Sequence, residues 1–143
     1  MTAITIDIVS DVMCPWCYIG KRRMEKALNS VEDIEIDIRW RPFQLDPTLP
    51  AEGRDRKEYL ETKFGGPERA QQIYANIENA GKDENLDFSF SAIKVSPNTI
   101  DAHRVIRWSM NDGQAVHDNL VERLFQLYFM EGGNIGNHDV LVT

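Results

Sequence analysis

The spacing of apolar residues changes near residue 14 from two to about 3.6, and a cysteine pair stands on the change. Ile4, Ile6 and Ile8 alternate with Thr5 and Asp7, the period of a strand over 4–9. After the turn-prone Ser10-Asp11-Val12-Met13 comes Cys14-Pro15-Trp16-Cys17, and from Tyr18 the pattern is helical. Met24, Ala27, Leu28 and Val31 share one face, while Lys21, Arg22, Arg23 and Lys26 take other positions of a helix over 15–31. Pro15 suits the first helical position, where its fixed φ is already helical and its missing N–H costs nothing. Cys14 then falls at the N-cap and Cys17 one turn inside. A second alternating run, Ile34, Ile36, Ile38 and Trp40 against Glu35, Asp37, Arg39 and Arg41, predicts a strand over 34–40. Strand, helix and strand make a βαβ unit with parallel strands and a right-handed crossover. Ligands of open α/β sheets gather at the C-terminal ends of the strands, where the cysteines lie.

Past the second strand the chain reads as helical. Pro42, Pro47 and Pro50 mark an irregular connection up to Gly53. A helix over 57–64 is closed by Gly65-Gly66. Pro67 opens the next, with Ala70, Ile73, Tyr74 and Ile77 on one face and Gly81 beyond its end. Phe88 and Phe90 read as a short extended stretch. Helices follow over 98–110 and 114–131, the second stopped by Gly132-Gly133, and its apolar stripe reads as core. Asn137 reads as the N-cap of one more helix.

Composition narrows the function. The 143 residues are 42% hydrophobic and 27% charged, which excludes disorder, collagen and coiled coil. A net charge of −7 argues against a nucleic-acid partner or an anionic membrane surface. Leu127-Tyr128-Phe129-Met130 is far short of the roughly 20 apolar residues of a membrane span. The N-terminus lacks the basic and apolar regions of a signal peptide, so the expected setting is cytoplasmic. Cys14 and Cys17 are the only cysteines, which points to redox chemistry or metal rather than a disulfide scaffold. A structural zinc takes about four ligands, and His103, His117 and His138 lie far beyond finger spacing, so no metal is expected. A copper carrier would want Met where Val12 stands.

Redox chemistry assigns the two thiols different roles. A thiolate is stabilised at a helix N-terminus, where cysteine pKa values fall to roughly 3.5–7.5. That predicts Cys14 as the acidic thiol and Cys17, one turn inward, as the resolving one. The four basic residues behind the pair read as a solvated face. Trp16 either lines an exposed groove or anchors the helix. Pro42 and Phe43 follow the second strand at its C-terminal end and either flank the site or serve as core and turn residues. His103 is a base, a glutathione contact or a structural histidine. Asp11 accepts a proton or ends the strand.

The run from Ile8 to Lys21, Ile8-Val9-Ser10-Asp11-Val12-Met13-Cys14-Pro15-Trp16-Cys17-Tyr18-Ile19-Gly20-Lys21, followed by Trp40-Arg41-Pro42-Phe43-Gln44-Leu45-Asp46-Pro47, resembles the FrnE-type branch of the DsbA-like thioredoxin superfamily. Asn98-Thr99, Ala102-His103-Arg104, Leu124-Phe125 and Tyr128-Phe129-Met130-Glu131-Gly132 extend the resemblance over essentially the whole chain. It implies an α/β, thioredoxin-like fold: a βαβ half over 1–47, a linker over 48–54 and a helical insertion over 55–143. It also implies thiol–disulfide oxidoreductase or isomerase activity, with Cys14 matching the nucleophile and Cys17 the resolving cysteine. Pro15, Trp16, Pro42, Phe43, Asn98 and His103 are the candidate substrate-binding residues. No resident cofactor is implied; glutathione is an expected redox partner, and disulfide-containing proteins or small thiols are the expected substrates. The alternative is a glutathione-linked isomerase or transferase acting on an aromatic or polyketide metabolite, but those relatives typically carry serine at the first cysteine. A redox-sensitive binding module is a third class.

One departure from the resemblance matters. A thioredoxin-like domain needs two further strands, a closing helix and a cis-proline loop, and no proline follows Pro97. The sequence therefore predicts a sheet open on one face and along one edge, weakened activity, and either self-association or a further segment covering the edge.

Overall fold

The computed structural model describes residues 2–142. Strands β1 (Thr2–Ser10) and β2 (Ile34–Pro42) pair in parallel, with Ile4 opposite Ile36, Ile6 opposite Ile38 and Ile8 opposite Trp40. Helix α1 (Pro15–Asn29) crosses between them and stops short of Val31, because the Ser30 and Val31 amides turn back onto the carbonyls of Ala27 and Leu28. The expected βαβ unit is present.

Two short strands were not legible. Just past the irregular connection, β3 (Arg54–Asp55) pairs antiparallel with β4 (Val95–Ser96). Two residues are too few to carry a period. Gly53 lets them meet: at φ +78° it sits where a Cβ would lie 2.5 Å from Val95 Cγ1 and 2.6 Å from the Ser96 carbonyl oxygen. Helix α2 (Arg56–Phe64) follows at once, N-capped by Asp55, whose side chain accepts the Glu58 amide at 3.1 Å.

Helices α3 (Pro67–Lys82), α4 (Ile100–Ser109), α5 (Gln114–Phe129) and α6 (His138–Leu141) complete the chain. Asn137 caps α6 as expected, accepting the Asp139 amide at 2.8 Å. Gly81 lies inside the last turn of α3 rather than beyond it, and it leaves room for the Phe88 ring, which a Cβ there would approach to 2.4 Å. Phe88 and Phe90 are not extended. Phe90 opens a 3-10 turn, and the two rings stack 4.8 Å apart beside Tyr74, Phe129 and Tyr18. Aromatic packing rather than alternation spaces them.

The expectation of a sheet face left open is also corrected. Helices α4 and α5 pack on β2, leaving Ile38 and Trp40 buried. The outer edge of β2 is sealed by side chains: Gln114 Oε1 accepts the Ile38 amide and His117 Nε2 the Trp40 amide, both at 3.1 Å. The outer edge of β1 has no partner strand among the described residues, and Ile4 and Val9 are exposed there.

The basic run of α1 is not simply a solvated face. Arg23 and Lys26 are exposed and pair with Glu84 after α3, but Lys21 is buried and reaches Glu122 on α5 at 3.0 Å. One hydrophobic cluster runs through the whole, joining Val12, Ile19 and Trp40 to Ile77, Phe88, Ile106 and Phe125. Among the described residues no helix is long and apolar enough to cross a membrane.

Candidate active site

The thiols sit on a loop held from both sides. Beyond β1, Val12 and Met13 are buried, and the Cys14 amide donates to the Asp11 carbonyl at 3.0 Å. Cys14 is the extended N-cap of α1, Pro15 its first residue, and the Cys17 amide donates to the Cys14 carbonyl at 3.1 Å. Asp11, 1% exposed, braces the loop: its carboxylate lies 3.1 Å from His103 Nε2 on α4 and accepts the Leu45 amide at 2.8 Å. Both cysteines are half-buried free thiols.

The two thiols shift each other's acidity in opposite directions. The hydrogen bond from the Cys14 thiol brings Cys17 down to about 6, against its burial and with help from the Asp11 amide. Donating that bond holds Cys14 well above the usual thiol range, and burial adds to the effect, although the Cys17 and Trp16 amides pull the other way. Cys14 therefore does not carry the lowered pKa by itself, as the helix N-terminus alone suggested. The pair ionises as a unit, and moving one proton along the S–H···S bond places the charge on either sulfur.

Access separates the two thiols. Cys14 lines a cavity of about 240 Å³ with Trp16, Arg56, Tyr59, Tyr74 and Tyr128. Cys17 lines a different one of about 250 Å³, against Ile8, Val9, Met24 and Trp40 at the open edge of the sheet. A larger concavity of about 540 Å³ around Arg54, Glu58 and Thr62 contains no thiol.

Of the expected substrate-binding residues, Trp16 is 49% exposed on the Cys14 cavity, and Pro15 lines it while largely buried. Pro42 ends β2 and Phe43 follows it, exposed, with its amide donating to the Ser10 carbonyl at 3.1 Å; neither lines that cavity. Asn98 binds loops together, donating to the Leu49 carbonyl at 2.7 Å and accepting from Gln44 and from the Ile100 amide. His103 stands behind the loop on Asp11 rather than at the thiols. Arg56, Tyr59, Tyr74, Ser96 and Tyr128 were missed. Tyr128 stands in a stripe that reads as core, and Arg56 falls just before the helix expected over 57–64, where nothing in the sequence marks it out.

A parallel βαβ unit with a dithiol at the start of its crossover helix, roofed by helices, is the thioredoxin-like arrangement found in disulfide oxidoreductases. The chain belongs to the DSBA-like thioredoxin domain family, which matches residues 5–143. Among solved structures it is similar to a probable DsbA oxidoreductase from Streptomyces coelicolor, with 27% identity and a TM-score of 0.81 over 96% of this chain and 59% of that one. It is also 26% identical over 138 residues to the uncharacterized protein YwbO of Bacillus subtilis (strain 168). The chain thus spans 62% of that relative's length.

Proposed function

We propose that the protein is a thiol–disulfide oxidoreductase or isomerase of the FrnE type, acting in the cytoplasm through Cys14 and Cys17. The observation that carries this is the pair of free thiols at the N-terminus of α1, one of which lines a cavity walled largely by apolar and aromatic side chains. In the reducing direction the Cys14 thiolate attacks one sulfur of a substrate disulfide. A mixed disulfide forms and the other substrate sulfur leaves with the electron pair. Cys17 then attacks Cys14, expelling the second substrate thiolate and leaving the pair oxidised by two electrons. Glutathione would reset the pair by the same exchange, and no resident cofactor is needed. The alternative, a glutathione-linked isomerase or transferase acting on an aromatic or polyketide metabolite, fits the aromatic cavity but leaves the second thiol without a role.

Cys14 is expected to be the thiol that iodoacetamide labels, since it faces the 240 Å³ cavity, while the acidity of the pair sets the pH dependence. Labelling should be constant above pH about 6 and fall tenfold per unit below it. Mass mapping reads the site, and preferential labelling of Cys17 would reverse the two roles.

Residues 1–143 should also reduce insulin disulfides slowly while self-associating through the unpaired edge of β1. Sedimentation alongside the insulin assay reads both. Val9→Lys should shift the chain toward monomer; a wild-type monomer would show that the edge is already satisfied.

A further inference from the structure

The Cys14 cavity has a charge pattern that disulfide exchange alone does not require. The chain carries 23 acidic against 16 basic residues, yet no acidic residue lines this cavity, and its charged groups are Arg56 and Lys63. Arg56 is 8% exposed, and no carboxylate among the described residues lies within salt-bridge distance of it. Its guanidinium stands 4.8 Å over the Tyr74 ring and 5.6 Å from that of Phe90, and donates to the Tyr128 hydroxyl at 3.3 Å. Phenols and ring faces answer only part of a fork with five N–H donors. Burying a cation without an anion is costly. Ser96, 1% exposed, lines the same cavity, and its hydroxyl has no hydrogen-bond partner. The other walls are apolar or aromatic.

We infer that this cavity selects disulfides and thiols bearing a carboxylate on an apolar or aromatic body, and that Arg56 is the specificity-determining residue that binds the carboxylate. The inference rests on the dithiol reading above. Cys14 attacks the sulfur of such a substrate, the substrate S–S bond breaks, and the aryl or alkyl thiolate leaves with the electron pair. Cys17 then closes the protein disulfide and releases the second thiolate. A carboxylate is favoured over a point anion because the planar guanidinium matches it in a two-point contact.

Two aromatic disulfides separate charge from shape: 5,5′-dithiobis(2-nitrobenzoate), with a carboxylate on each ring, and neutral 4,4′-dithiodipyridine. The rates at which the reduced protein releases each aryl thiolate are divided by the rates with free dithiothreitol. A protein of net charge −7 should repel the anionic reagent. We expect it to be preferred instead, by about tenfold over the dithiothreitol ratio, from one charge-assisted contact. Arg56→Gln should return the ratio to the reference, and Arg56→Lys should keep part of the preference. Because Arg56 is buried and its variants can fail to fold, a second measurement uses the unaltered protein. Benzoate should protect Cys14 from iodoacetamide, and benzamide, its neutral isostere, should not. Exchange at unbiased rates without benzoate protection would overturn this inference and leave the dithiol reading intact. Absence of exchange with either disulfide would overturn the dithiol reading, while benzoate protection would still report on the pocket.

Discussion

Cys14→Ser should abolish disulfide exchange, lowering the rate by roughly a thousandfold or more, because no second thiol lines the substrate cavity. Cys17→Ser should instead perform the first attack and stop. It keeps the sulfur that lines the 240 Å³ cavity and loses the one lying against Ile8, Met24 and Trp40. A mixed disulfide then accumulates, visible as a mass increase equal to the bound thiol less two hydrogens and reversed by reductant. The acidity should move with the substitution. Cys17 is held near 6 chiefly by the hydrogen bond from Cys14, so a lone Cys14 loses its sulfur partner. It keeps the backbone amides of positions 16 and 17 at the helix N-terminus, which favour its thiolate. The trapped species should therefore form more slowly at pH 6 than the wild-type reaction proceeds. Trapping by Cys14→Ser rather than by Cys17→Ser would invert the mechanism.

The parts of this fold that were legible are those in which one residue type repeats with a period. Ile4, Ile6 and Ile8 against Ile34, Ile36, Ile38 and Trp40 carry the parallel pair, and the observed register sets Ile4 opposite Ile36, Ile6 opposite Ile38 and Ile8 opposite Trp40. Pro15 and the helical spacing after it carry the start of α1 and hence the place of the thiols. What was not legible depends on side chains distant in sequence. His117 satisfies the Trp40 amide across 77 residues, and Asp11 meets His103 across 92. A histidine that seals a strand edge and one that offers a base look the same in a linear reading. The Cys14 cavity has the same origin. Its thiol comes from the βαβ unit, but Arg56, Tyr74 and Tyr128 come from three helices whose approach no local pattern encodes. Lys21 illustrates the converse error, since a charge run normally faces water and this one supplies a cation to a buried cluster.

That cluster joins α1 to α5, and Glu122→Gln should cost about 3 kcal/mol of folding stability at neutral pH. Glu122 accepts two guanidinium bonds from Arg22, at 2.6 and 2.8 Å, one from Lys21 at 3.0 Å and one from the Tyr18 hydroxyl. A neutral amide in its place could not answer both cations. The loss falls short of a fully orphaned charge because Lys21 keeps Asp118 and Glu25, each at 3.5 Å. Burial pushes the Glu122 carboxyl up, but the bonds from Arg22, Tyr18 and Lys21 outweigh it and hold the group at about 2, against 4.5 for a free glutamate. A folded-state pKa below the unfolded one means the stabilisation is complete above pH about 4.5 and disappears as pH falls toward 2. The stability gap between wild type and Glu122→Gln should therefore be constant from pH 7 to about 5 and shrink below that. Urea unfolding of both proteins across this range reads it directly. A merely steric effect of the amide would give parallel curves at every pH. A closing gap would tie the charge of Glu122 to the seam that holds the helical layer against the thiol-bearing helix.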